Sequence, residues 1–216
     1  MSRCSREWTR WAAIVVLMVA SGCGSTQLVD TWTQPGARGA ELSRIAVIYM
    51  SPSDTSRRVA EDAAVGALAK KLKGAQVSSS YQVVAAGEMS NKDTIQRKLA
   101  SAGFDGALIM RPAGVSHRVV SDPGAFYPTF TGYWGWAYPL AYEPGYLRTE
   151  TIVRLDTRLY SLTDDRLLWA GVSNTTDPSS INRLVQDVAR TVAKALAKND
   201  LVAGAAVPPP LASVTR

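Results

Sequence analysis

One histidine and two cysteines in 216 residues limit the chemistry at the outset. A zinc centre needs three or four nitrogen, sulfur or oxygen ligands, and a single His with no available thiol argues against one. The net charge of +6 is not clustered in the sequence into a basic stripe of the kind that binds nucleic acid, so the predicted partners do not include it.

The N-terminal stretch is the most informative. Arg3, Arg6 and Arg10, diluted by Glu7, precede the uninterrupted apolar run Trp11–Ala20. Ten apolar residues are too few to span a bilayer and suit the core of a signal peptide. Val19-Ala20-Ser21-Gly22-Cys23 then resembles a lipobox, with Ala20 where Leu is usual. The resemblance implies cleavage after residue 22, a signal peptide over 1–22 and acylation (diacyl, then palmitate-type) of Cys23. Two acyl chains hold a protein firmly to a membrane, because each buried methylene contributes about 0.8 kcal/mol. Gly24 after the cysteine, in place of Asp, implies the periplasmic side of the outer membrane. Residues 1–22 carry three Arg and one Glu, so the remainder has a net charge of +4. Cys4 falls in the removed segment, and the domain must be held by packing, without disulfides.

Residues 23–43 read as a lipidated tether, rich in Gly, Ser, Thr and Pro, interrupted by Val29–Trp32 as a short edge strand with Trp32 tucked against the domain. An α/β domain follows over 44–202. Arg44–Met50 is apolar and β-branched, a strand buried on both faces. Thr55–Leu72 reads as a helix that presents Val65, Leu68 and Leu72 inward and Arg57, Arg58, Glu61, Asp62, Lys70 and Lys71 to water, with Gly74 ending it. A weak strand over Tyr81–Ala85 precedes a helix opened by a Ser90/Asp93 capping box and closed at Gly103. Phe104–Met110 is a second buried strand whose pattern continues through Val115–Val120. Strand, helix, strand, helix, strand predicts parallel pairing.

Residues 121–146 break this rhythm. Nine of the chain's seventeen aromatics fall there, among four prolines and several glycines, a composition that predicts no long helix. Two readings stand side by side: a compact structural extension, or a sticky surface of Phe126, Tyr127, Phe130, Tyr133, Trp134, Trp136, Tyr138 and Tyr142 for a protein or glycan partner or the lipid interface. Thr149–Leu162 and Leu167–Thr175 form a hairpin around an Asp164-Asp165 turn, with Leu168, Ala170 and Val172 on one face and Trp169 on the other. Asp177-Pro178 predicts the start of a long helix, striped by Ile181, Leu184, Val185, Val188, Val192, Ala195 and Leu196, with Asn199 as a left-handed cap. Residues 203–216, with three consecutive prolines, read as a disordered tail. The fold class is therefore α/β (α+β): a mixed sheet of about five strands, β-α-β-α-β, then a hairpin and a C-terminal helix.

The lipobox, the Asp30-Thr31-Trp32 entry, the Gly103-Phe104-Asp105 step and the hairpin Leu155–Tyr160 to Leu167–Ala170 together resemble the small proteobacterial lipoproteins classed as a domain of unknown function. The alternation is also distantly similar to the α/β domain of the curli secretion lipoprotein and the amino-terminal domain of the TolB translocation protein. These likenesses imply envelope assembly or partner binding without catalysis, and carry over no catalytic residue. His117 has no Gly-x-Ser-x-Gly elbow nearby, and no Walker loop or dinucleotide fingerprint occurs. No enzyme activity, cofactor or metal is predicted. The predicted role is a non-catalytic binding or assembly module of the cell envelope; the alternatives are a self-associating structural subunit and a cell-wall or lipid hydrolase using His117 or an acidic pair.

Overall fold

The computed structural model describes residues 25–120, 128–142 and 148–203. The expected signal stretch, Cys23, Phe126, Tyr127, Tyr146 and the proline-rich tail lie outside them. The described chain folds into one six-stranded mixed sheet, in the order β1-β6-β5-β4-β2-β3. The strands are β1 (Thr26–Thr33), β2 (Arg44–Tyr49), β3 (Gln76–Ser79), β4 (Gly106–Val120), β5 (Arg148–Ser161) and β6 (Arg166–Thr176). The helices are α1 (Asp54–Leu68), α2 (Lys92–Ser101), α3 (Phe130–Tyr142) and α4 (Ile181–Lys198). β3, β2 and β4 are parallel, as the crossovers α1 and α2 require; β4, β5, β6 and β1 are antiparallel.

The two sheet faces are covered unequally. On one, α1 and α4 pack over Ile45, Val47, Tyr49, Leu108, Met110, Leu155 and Leu159. On the other, Ala46, Ile48 and Ala107 meet Leu99 of α2 and Val84, and the face of β5, β6 and β1 is left open.

Several local expectations change. β1 begins at Thr26, so much of the stretch read as a tether is a paired edge strand. Trp32 in it stays exposed. The strand expected over Tyr81–Ala85 lies earlier, at Gln76–Ser79, and Ser80–Gln82 is a 3-10 turn. Asn91, not Ser90, caps α2, its Oδ1 accepting from the Thr94 N–H at 3.0 Å. Ser180, not Asp177, caps α4. Asn199 is not left-handed; Asp200 is, with φ 51°. A bulge at β5–β6 inverts the expected facing of the hairpin. Trp169 is fully buried on the helix-covered face with Ser173 and Thr175, and its indole fills the space that a side chain at Gly171 would need.

The Gly103-Phe104-Asp105 step is a latch. Gly103, at φ 79°, closes α2. Asp105 then accepts from the Ser43 and Arg44 N–H groups at 2.8 and 2.9 Å and from the Ser43 hydroxyl at 2.6 Å, pinning the start of β2.

Candidate interaction site

β4 and β5, of 15 and 14 residues, run past the ends of β2 and β6. β2 pairs β4 only over Gly106–Met110, whereas β4 and β5 stay paired out to Val120 and Arg148. The outer part of this hairpin is an arm with one strand edge unpaired beyond Arg111. A bulge between Pro112 and Gly114 interrupts its register, as bulges on unpaired edges commonly do.

The arm carries the aromatic segment. Contrary to the expectation from its prolines and glycines, Phe130–Tyr142 is a 13-residue helix. Thr129 starts it, its hydroxyl accepting from the Gly132 N–H at 3.2 Å and its carbonyl from Tyr133 at 3.0 Å. Pro139 lies inside the helix, where it removes one ladder bond, that of its own nitrogen to the Gly135 carbonyl. Phe130, Trp134, Tyr138 and Tyr142 recur every four residues and form a continuous ridge, with ring centroids 5.7, 6.1 and 4.7 Å apart. Tyr133 and Trp136 make a second contact at 5.7 Å. Phe130, Tyr133, Trp134, Tyr138 and Tyr142 are exposed, and Trp136 is half-buried. Six of the eight candidate contact residues thus share one helix. From Pro123 to Tyr142 the sequence holds no charged residue.

The open sheet face is different in character. Ile109, Arg111, Asp156, Arg158, Tyr160 and Met50 line a shallow depression of about 220 Å³. It continues under α2 as a groove of about 640 Å³, past Ile48, Met89, Ile95 and Lys92. Asp156 is gripped by Arg158 at 3.2 and 3.1 Å and by Arg111 at 3.2 Å. Burial opposes its ionisation, but the hydrogen bonds and charges of Arg158 and Arg111 outweigh it and hold the carboxyl below the usual range.

The other candidates resolve into structural parts. His117 is exposed on the arm, its Nδ1 3.4 Å from the Thr151 hydroxyl. Asp164 bonds Ser161 at 3.0 Å, and Asp165 turns the hairpin at φ 49°. Ser53, beyond the carboxyl end of β2, caps α1. Among the described residues, no three His, Cys, Asp or Glu side chains gather as a metal site, and no helix is long and apolar enough to cross a membrane.

Fold and site together define a mixed α/β domain with a projecting β arm tipped by an aromatic helix. No protein-family model and no curated protein matches the sequence. Among solved structures, the chain is similar to PelC of Paraburkholderia phytofirmans, described as a dodecamer, at 13% identity and TM-score 0.45, covering 84% of this chain and 99% of that one. It is also similar to the lipoprotein GNA1162 of Neisseria meningitidis, at 16% identity and TM-score 0.38, covering 72% of this chain and 99% of that one. At these scores no ligand or activity transfers.

Proposed function

We propose that the chain is a non-catalytic binding and assembly module of the cell envelope, lipid-anchored through Cys23 on the periplasmic side of the outer membrane, whose aromatic helix rests in the interface of the same bilayer. One observation carries this reading. β1 enters the sheet at the end where β6 leaves it, with Thr26 opposite Thr175, and the arm projects from that same end, with Thr175 opposite Val153. Cys23 precedes Thr26 by three residues, which span at most about 11 Å. Acyl chains on that sulfur and the uncharged aromatic helix therefore face one membrane. Trp and Tyr favour the headgroup level, where a ring is half in hydrocarbon and its polar atom meets water. A 13-residue helix is about 20 Å long, too short to span and suited to lying in the interface.

The test is quenching of tryptophan fluorescence by brominated lipid in proteoliposomes of the lipidated protein. Quenching is expected in the wild type and strongly reduced in Trp134→Ala/Trp136→Ala. Unquenched wild-type fluorescence, or quenching indifferent to both substitutions, overturns the interface reading. If the double variant instead loses assembly in a sedimentation profile while quenching is absent throughout, the helix is a self-association surface.

A further inference from the structure

The open face of the β4–β5 hairpin carries a row of arginines that the linear sequence disperses. Strand alternation and register place Arg148, Arg154 and Arg158 of β5 on this face, with Arg111 and Arg118 of β4 beside them. The opposite face of the arm, with Val115, His117, Val119, Thr149, Thr151 and Val153, holds no Lys, Arg, Asp or Glu.

The acids among these arginines do not cancel them towards solvent. Asp156, Glu150 and Asp177 each bind one or two of them, yet their side chains are only 11, 18 and 36% exposed. The side chains of Arg111, Arg118, Arg148 and Arg158 are 48–70% exposed. Asp156 and Glu150 lie beneath the guanidinium groups and orient them, while Asp177 beside Arg148 and Asp30 of β1, in the rung Asp30–Val172–Asp156, are exposed; along the β4–β5 row itself the outermost groups are arginines. Among the described residues, Arg154 is held by the neutral Asn174 amide oxygen at 3.3 Å and by no acid. Ten residues separate Arg148 from Arg158, so the row is about 34 Å long. At its inner end it meets two rings on the same face: Tyr160 in the depression, and exposed Trp32, in the rung Trp32–Ala170–Arg158.

We propose that this face is a track for an extended polysaccharide bearing carboxylates. Guanidinium forks pair carboxylates bidentately, and repeating acidic sugars present them at intervals along a line. Trp32 and Tyr160 supply the apolar ring faces against which a sugar ring stacks, a feature that a purely electrostatic polyanion site does not need. The row runs along the arm and away from its tip, so a flat lipid surface meeting the tip does not reach its inner end.

The experiment uses the lipidated protein in phosphatidylcholine nanodiscs, with fluorescent polygalacturonate as the probe and neutral dextran and single-stranded oligothymidylate as comparators. Saturable, salt-weakened binding of polygalacturonate is expected, with dextran unbound. Arg118→Gln/Arg154→Gln, which leaves Asp156 fully paired, should weaken binding about tenfold. Trp32→Ala changes no charge, and should weaken it as well, with the thermal midpoint measured alongside to register any loss of packing under the ring. Equal affinity in both variants overturns the track. Displacement by oligothymidylate at equal charge concentration, with Trp32→Ala unaffected, overturns the glycan assignment.

Discussion

Arg57 and Glu61 lie one helical turn apart on α1, where periodicity assigns them to the wet side of the helix. The structure buries both, at 1% and 0% exposure, with Nε and Oε1 2.9 Å apart. Glu61 also accepts from the Tyr49 N–H at 3.2 Å, the Ser80 hydroxyl at 2.8 Å and the Tyr81 N–H at 3.0 Å. Arg57 donates to the Ser80 hydroxyl at 2.9 Å and the Val84 carbonyl at 3.1 Å. The pair thus fastens α1 to the end of β2 and to the chain after β3, satisfying backbone groups that no strand partner reaches. A charged residue carries no label in the sequence saying that another element will close over it, and here the 3-10 turn after β3 does so. Arg57→Ala leaves Glu61 buried without its cation, and should destabilise the fold by about 3–5 kcal/mol in chemical denaturation. Replacing both together, with Arg57→Met and Glu61→Gln, should cost markedly less than Arg57→Ala. A single-variant loss below about 1 kcal/mol would mean that the pair is hydrated in solution.

Among the elements, the arm is where sequence reading and structure part most clearly. Prolines and glycines argued against a long helix, yet the four-residue recurrence of Phe130, Trp134, Tyr138 and Tyr142 was already present as a helical signal. Here the spacing of the rings, and not the proline and glycine content, governs. The helix at the other end of the core was read correctly as an element and wrongly at its start. Asp177 does not cap α4; it ties α4's approach to the base of the arm. Its carboxylate accepts from the Thr151 N–H and from Arg148, both at 2.8 Å. The Thr151 backbone bond first, and Arg148 second, hold its pKa below the ordinary Asp value. A lowered folded-state pKa gives a contribution that is fully present above the unfolded value of about 3.9 and is lost as pH falls through the folded value. Acid should therefore loosen the arm base before the core. Amide exchange at Thr151 and Asp177, followed from pH 6 to pH 3, should rise relative to β2. Asp177→Asn should raise it already at pH 6 and flatten its acid dependence. The same acid response in Asp177→Asn as in the wild type would remove this carboxylate as the cause.

At the scale of the molecule, β2, β4 and the two strands of the C-terminal hairpin were legible because they are continuous apolar or alternating runs, such as Arg44–Tyr49 and Leu155–Leu159, whereas the four-residue β3 was not placed and the bulge that turns Trp169 inward left no mark in the pattern. The sixth strand, β1, was only partly legible, because an edge strand half open to water needs little apolar periodicity. The consequence of that strand is mechanical. Because β1 starts at Thr26, the proposed lipid anchor at Cys23 would join the sheet through a few residues instead of through a 20-residue tether. On that proposal, anchor and aromatic helix would be two membrane contacts on one chain, and the first would set the effective concentration of the second at the bilayer. Lengthening the connection should weaken that coupling while leaving every contact in the fold intact. A Gly/Ser insertion of about 20 residues between Gly24 and Ser25 gives a coil with an end-to-end distance of roughly 25 Å. In proteoliposomes, the fraction of Trp134 fluorescence quenched by brominated lipid should fall on insertion, and the thermal midpoint should stay unchanged. Quenching that survives the insertion undiminished would show that the helix holds the bilayer by its own affinity. The short entry into β1 would then have no part in bringing it there.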